Sequence, residues 1–407
     1  MVKITLTHDK DIDYPLGFSV YTGKSGIKYK RNDTAILLCP EGASFHGVFS
    51  KNTFRSLSLD DSISKLGEKI HAVCVFSGNA NCATGIHALQ SIKILSKAAA
   101  ACFKTNPRSI LLSFTGVIGR PFPAQKILPA FTGLCTAAAR AAASRCIPKV
   151  PFAEAIMTTD TRVKRASCEL IINGKKIRIA GCAKGAGMIA PNMGTMLAYI
   201  TTDLDIPSNE IKKIIIQAAA LSFNSITVDG DTSTNDSFFI FASGKSGVSW
   251  NKIKNKNTVI QAINSICGYC AKEIARDGEG ATKLITVCAE GARSVSDAQK
   301  MVRAVSESLL VKTAAFGCDP NFGRVLMALG NSGAECTPDK TRLYFGSILL
   351  YANGKVFPGR VASAADYLKK NSEILIRIHV GAGKACWTGW TCDISYNYVK
   401  INGEYTT

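Results

Sequence analysis

Apolar residues along this chain fall into two alternating patterns. Short runs with strand length, Ala35 to Cys39, His71 to Phe76, Leu111 to Phe114, Cys168 to Ile172 and Lys176 to Ala180, are bounded by Gly, Asn, Asp or Pro. Between them lie stretches with helical spacing and many Ala and Leu residues: about Gly85 to Phe103, Pro123 to Cys146, Ser208 to Phe223 and Thr258 to Arg276. Asn173-Gly174 separates two of the runs and is a residue pair suited to a two-residue hairpin. From about Leu284 the alternation restarts. It predicts a strand, a helix opened by a capping box at Ser296 and Gln299, paired runs near Arg342 to Ala352, a helix near Ala362 to Lys370 and two final strands. The pattern is that of an α/β protein with a larger unit over 1–283 and a smaller one over 284–407.

Composition narrows the class. A chain of 407 residues with 46% hydrophobic residues is long enough for more than one core. Its 15 cysteines show no even spacing and follow no secretory leader, which fits buried thiols in a reducing compartment, the cytoplasm. Cys267 and Cys270 form the one C-x-x-C, and with no second pair at zinc spacing they predict core packing and no metal site. The net charge of +19 suits a polyanion, so a basic nucleic-acid-binding protein is the rival reading. The lysines are spread out, however, and the densest patch, Lys252, Lys254 and Lys256, accompanies no nucleic-acid motif. Gly185 to Thr202 lacks charge, but Pro191, Asn192 and several Gly and Thr spoil it as a membrane span.

Three motifs are decoys. Gly17 to Ser25 is one residue too long for a phosphate-binding P-loop, and no apolar helix follows it. Gly185 to Ala190 fits G-x-G-x-x-A, but Pro191 and Asn192 leave no room for the helix that would bind a dinucleotide. Asp229 to Asp236 has acidic spacing without the Gly and Glu that a calcium loop requires.

The stretch that bears chemistry is Lys184 to Asp203, where Thr195 stands between a Gly-rich turn and an apolar run. A Thr hydroxyl needs a base beside it, and one solution makes the Thr a chain terminus whose own α-amino group is that base. That amine titrates near 7.7–8.0 when unperturbed, so it is available near neutral pH. Gly194 before it presents no side chain to hinder attack on its carbonyl. Thr195 also fits an ordinary strand start, and residue type alone does not separate the two.

The blocks SGNANCATG (Ser77 to Gly85), TGVIG (Thr115 to Gly119), TTDT (Thr158 to Thr161), GMIAPNMGTMLAYITTD (Gly187 to Asp203), VDGDTSTND (Val228 to Asp236) and DPNFGR (Asp319 to Arg324) closely resemble the glutamate N-acetyltransferase and ornithine acetyltransferase family. The resemblance implies an αββα sandwich, cleaved by itself between Gly194 and Thr195 into chains 1–194 and 195–407 that assemble as α2β2. It implies acetyl transfer from N2-acetyl-L-ornithine to L-glutamate through Thr195. Thr115 and Gly116 would form the oxyanion hole, and Thr158, Lys184, Glu279, Asn402 and Thr407 would bind substrate. No cofactor, metal, nucleic acid or membrane is implied, although some members accept acetyl-CoA as donor. Three positions depart from the family's usual residues: Gly194 for Ala, Ala186 for Ser and Phe322 for Trp. A self-processing aminopeptidase of related fold is the enzymatic alternative.

Overall fold

The computed structural model describes residues 5–8, 14–143, 152–190 and 196–404. In chain order the first part runs β1 (Ser19–Gly23), β2 (Thr34–Phe49), α1 (Leu57–Ile63), β3 (Ile70–Asn79), α2 (Ile86–Phe103), β4 (Ile110–Val117), α3 (Ala124–Ala143), α4 (Phe152–Ala155), β5 (Lys164–Ile172), β6 (Lys175–Lys184), β7 (Leu197–Thr202), α5 (Ser208–Leu221), β8 (Ser237–Ala242) and α6 (Lys256–Arg276). Its strands hydrogen-bond in the order β4-β3-β2-β8-β7-β6-β5, with β1 also paired to β2.

The long strand β2 turns this sheet into two layers. Its first half pairs with β3 and β1, its second half with β8, and the register shifts between Leu38 and Ala43. Pro40, which cannot donate to a ladder, and Gly42 at φ +78° sit in that interruption. The side chains then sort by the two-residue period of a strand. Ala35, Leu37, Val73, Val75 and Leu111 on one half face Leu197, Tyr199, Phe239 and Phe241 on the other, forming an interior layer. Ile36, Leu38, Cys74, Phe76, Leu112 and Phe114 point the opposite way and are covered by α2 and α3. Ile177, Ile179, Ala198, Ile200, Phe238 and Ile240 are covered by α5 and α6. The layers therefore stack helix, sheet, sheet, helix, the expected αββα sandwich.

A second sheet opens at Leu284. Its elements are β9 (Leu284–Ala292), α7 (Val295–Glu307), α8 (Leu309–Phe316), α9 (Phe322–Gly330), β10 (Arg342–Phe345), β11 (Ile348–Ala352), β12 (Lys355–Val356), α10 (Val361–Lys370), β13 (Glu373–His379), β14 (Ala385–Cys392) and α11 (Tyr396–Glu404). The strands order β12-β11-β10-β13-β9-β14. Ile285, Val287, Leu343, Phe345, Ile374, Ile376 and Ile378 form its core with α7 to α10.

Several local expectations are met and others are revised. Asn173 and Gly174 both take positive φ, 52° and 74°, and close the β5–β6 hairpin. The P-loop look-alike is strand β1, and Cys267 and Cys270 lie buried on the core face of α6. The cysteines among the described residues are free thiols. Helix α7 is capped by Ser294, whose hydroxyl accepts from the Asp297 N–H, and not by a box at Ser296 and Gln299. Helix α11 was not expected at all. It buries no side chain, so it leaves no apolar stripe in the sequence. Among the described residues no helix is long and apolar enough to cross a membrane.

Neighbours Phe238 and Phe239 face different cores. Phe238→Ala and Phe239→Ala should therefore each shift the denaturant midpoint by an amount worth about 3–5 kcal/mol. A sheet with one solvated face would make one of the two nearly silent.

Candidate active site

Strands β4 and β6 lie in opposite layers, and each carries a polar residue on the interior face near its C-terminal end. In β4, Thr115 shares the parity of Leu111; in β6, Lys184 shares the parity of Cys182. Thr115 and Lys184 are 3% and 2% exposed. They meet across the layer, where Lys184 Nζ donates to Thr115 Oγ1 at 2.9 Å and to Thr158 Oγ1 at 2.8 Å. An ammonium has only donors, whereas a hydroxyl has one donor and two lone pairs. Lys184 thus fills acceptor sites on both threonines and leaves their O–H groups to donate to something else. A cation bound to a hydroxyl oxygen also makes that hydroxyl a stronger donor.

Gly116 is required by space. It has φ +129°, and a Cβ there would come within 2.3 Å of the Gly78 carbonyl carbon on β3. The backbones of β3 and β4 are pressed together at this point, with Gly78 opposite Gly116 in the register.

Buried carboxylates hold the surrounding loops. Asp160 accepts from Thr158 N–H at 3.0 Å, Gly185 N–H at 2.6 Å and Lys164 Nζ at 2.6 Å, so it fixes the loop bearing Thr158 to the end of β6. Lys164 in turn is paired with Asp277 at 2.6 Å, and this ion triad is almost wholly buried. Burial pushes the Asp160 carboxyl up, but the Lys164 and Lys184 ammoniums together with its hydrogen bonds hold it at about 2. Burial lowers Lys184, with Lys164 acting in the same sense, while Asp160, Asp236 and Glu279 pull the other way. Burial also draws Lys28 down to about 8, helped by the charge of Lys184; its Nζ donates to the Met157 carbonyl beside Thr158.

The loop from Asp229 to Asp236 clamps three segments. Asp229 accepts from the N–H groups of Met188 at 2.6 Å and Ile189 at 2.8 Å, which shapes the Gly-rich turn. Residues 185–190 contain no helix, as the rejected dinucleotide motif would need. Asn235 donates to the carbonyls of Ala80 at 2.7 Å and Phe114 at 3.0 Å, pinning the ends of β3 and β4. Asp236 Oδ1 accepts from Met196 N–H at 2.8 Å.

Glu279 docks on the same turn. Its N–H donates to Ala186 O at 2.9 Å, and its carboxylate lies so close to Gly187 that a Cβ there would sit 2.4 Å away. Asn402 on α11 donates to Glu279 Oε2 at 3.0 Å. The structure thus joins Thr115, Gly116, Thr158 and Lys184 directly, and links Glu279 and Asn402 to them through the turn after Lys184. Gly194, Thr195 and Thr407 lie outside the described residues. Asp160, Asn235, Asp236 and Lys28 were missed as parts of the site. The first three sit inside recognised blocks, which was the signal available.

An oxyanion-forming acyl transfer fits this arrangement: donors converge in a buried layer, where they act more strongly than in water. Comparison with known proteins agrees. The ArgJ family pattern matches residues 19–407. The chain is similar to the "Arginine biosynthesis bifunctional protein ArgJ" of Prochlorococcus marinus subsp. pastoris, 38% identical, covering 97% of this chain and 98% of the relative. It is also similar to the protein of that name from Geobacillus stearothermophilus, 36% identical over 100% of this chain and 98% of the relative. Among solved structures, the Bacillus halodurans protein of the same name is 35% identical with a TM-score of 0.49, covering 51% of this chain and 98% of that one.

The depressed Asp160 predicts acid sensitivity with a definite sign. A carboxyl held lower in the folded than in the unfolded chain stabilises above its unfolded value and ceases to do so as pH falls through the folded one. Roughly 2 kcal/mol of stability should therefore disappear between about pH 4 and about pH 2. Asp160→Asn should be less stable at neutral pH and should lack this step in thermal melts across that window.

Proposed function

The chain belongs to the ArgJ family, and on that premise we propose that it transfers acetyl from N2-acetyl-L-ornithine to L-glutamate through an ester on Thr195, within arginine biosynthesis. The observation that carries the reading is the Lys184 ammonium donating to the hydroxyls of Thr115 and Thr158 in a buried layer. In this reading the chain first cuts itself between Gly194 and Thr195. The pieces 1–194 and 195–407 then stay together, because β6 of the first pairs with β7 of the second and β2 of the first pairs with β8 of the second. Two copies of each piece make the α2β2 assembly.

The freed α-amine of Thr195 takes the proton from its own Oγ as that oxygen attacks the acetyl carbonyl. The Thr115 hydroxyl, polarised by Lys184, and the Gly116 N–H receive the oxyanion. Ornithine leaves with the proton, and the amine of glutamate then attacks the acetyl-Thr195 ester to give N-acetyl-L-glutamate. The Glu279 carboxylate suits the side-chain ammonium of ornithine, while Asn402 and Thr407 offer the donors and acceptors that an amino-acid head group needs. No cofactor is consumed in this cycle. A second activity, acetylation of glutamate from acetyl-CoA, would give this chain two functions, the number that the relatives' name states for them without naming a donor. The many free thiols suit a reducing cytoplasm.

Purified protein should yield a fragment whose N-terminus reads Thr-Met-Leu and, beyond the single equivalent of ornithine freed as each site is acetylated, should go on releasing ornithine from N2-acetyl-L-ornithine only when glutamate is present. Release that proceeds equally fast without glutamate would make the protein a hydrolase, as the aminopeptidase alternative requires. A fully active chain that is never cut would contradict the Thr195 amine as base.

A further inference from the structure

A cavity of about 340 Å³ lies between α7 and the chain segment that follows α5, with Trp387 of β14 on a third side. All of these elements lie within the described residues. On α7 the cavity is lined by residues at helical spacing, Ser296, Gln299, Lys300, Arg303 and Ser306, so a polar stripe faces it. Ser296 and Gln299, which do not cap the helix, belong to that stripe. Trp387 Nε1 donates to Ser225 Oγ at 3.1 Å and fixes the indole against the opposite wall. Gly389 lets the walls approach, since a Cβ there would come within 2.7 Å of both the Ser225 carbonyl oxygen and Val302 Cγ1. Ser306 is 3% exposed, and its hydroxyl has no hydrogen-bond partner among the described residues. A buried hydroxyl left in that state costs free energy unless something bound in the cavity satisfies it. Lys300 and Arg303 stand exposed at the mouth, and no Asp or Glu lines the cavity among the described residues. Lys300 lies 4.0 Å from Asp297, and Arg303 gives its Nε to Glu307 at 3.1 Å. The terminal fork of a guanidinium is the part that grips a carboxylate or phosphate.

We propose that this cavity is a second binding site, separate from the acetyl-transfer site, for a small hydroxylated metabolite that carries one oxyanion, a carboxylate or a phosphate. Arg303 and Lys300 hold the oxyanion, the Ser306 and Gln299 side chains bond the polar body, and the indole of Trp387 covers it. The volume is at the small end of the range for metabolite sites, which excludes a bulky cofactor. The site is also wired to the turn after Lys184. Ser225 and Thr227 line the cavity, and the Thr227 N–H donates to Trp390 O at 3.0 Å. Thr227 Oγ1 and the Val228 N–H both donate to the Ile189 carbonyl, at 3.1 and 2.8 Å, while Asp229 holds the N–H groups of Met188 and Ile189. A ligand that braces this wall therefore braces the turn on which Glu279 docks, and by linkage a change at either site is felt at the other.

The test titrates the purified protein with glycerol 3-phosphate and with glycerate, two similar bodies that differ in their oxyanion, and with glycerol as the uncharged control. Calorimetry should show binding of at least one anion with a Kd at or below about 1 mM, and none of glycerol; which anion binds tells phosphate from carboxylate. Tryptophan fluorescence should respond to the same anion and lose that response in Trp387→Phe. Arg303→Gln should weaken binding at least about tenfold and Ser306→Ala at least about threefold, both with melting temperatures close to wild type. Hydrogen exchange of the Ile189 and Val228 amides should slow when the anion is bound. Neither anion binding, glycerol binding as tightly as the anions, or affinity unchanged in both variants would each overturn the site. Binding that leaves exchange at Ile189 and Val228 unaltered would overturn its link to the turn. None of these measurements requires turnover, so their outcome stands apart from the acetyl-transfer reading.

Discussion

A lysine ammonium sealed between two β-layers is the constraint on which the site depends. Removing a charge from water is costly unless hydrogen bonds and counter-charges offset the loss. Lys184 finds the hydroxyls of Thr115 and Thr158, with Asp160, Asp236 and Glu279 exerting the opposing charge. Those partners come from four separate stretches of chain, so the ammonium can be satisfied only when both halves of the folded sheet are in place. Fold and chemistry are coupled at this point: the bend in β2 that stacks the halves also brings the ends of β4 and β6 together.

The carboxylates extend this order outward. Asp160 ties the loop bearing Thr158 to the end of β6, and the Lys164–Asp277 pair anchors Asp160 from behind. Asp229, Asn235 and Asp236 leave one short loop in three directions, to the Gly-rich turn, to the ends of β3 and β4, and to Met196. A calcium-like spacing in the sequence is used instead to bind backbone N–H groups and carbonyls. Preorganisation of this kind is what lets fixed donors meet a developing charge without reorganising during reaction.

Much of this was legible in the sequence because its signals are local. Asn173-Gly174 specifies its turn, the alternating β runs specify which faces are buried, and the threonine and glycine blocks carry a family pattern. Thr115, Gly116, Thr158 and Lys184 were named together on that resemblance, and the folded chain joins them. What escaped is long-range. Asp236 reaches Met196 from 40 positions away, and Asp277 reaches Thr161 from 116, so no window of sequence shows either contact. Helix α11 escaped for a different reason: with no buried face it has no periodicity to find, yet it is the element that brings Asn402 to Glu279.

The most direct measurement of the central claim is a peptide mass map of enzyme incubated with N2-acetyl-L-ornithine in the absence of glutamate. The account predicts an added acetyl mass on the peptide that begins at Thr195, lost when glutamate is then supplied and recovered as N-acetyl-L-glutamate. Rapid turnover with both substrates, with negligible hydrolysis and no acetyl on that peptide at any time, would contradict it and require direct transfer between the two amino acids.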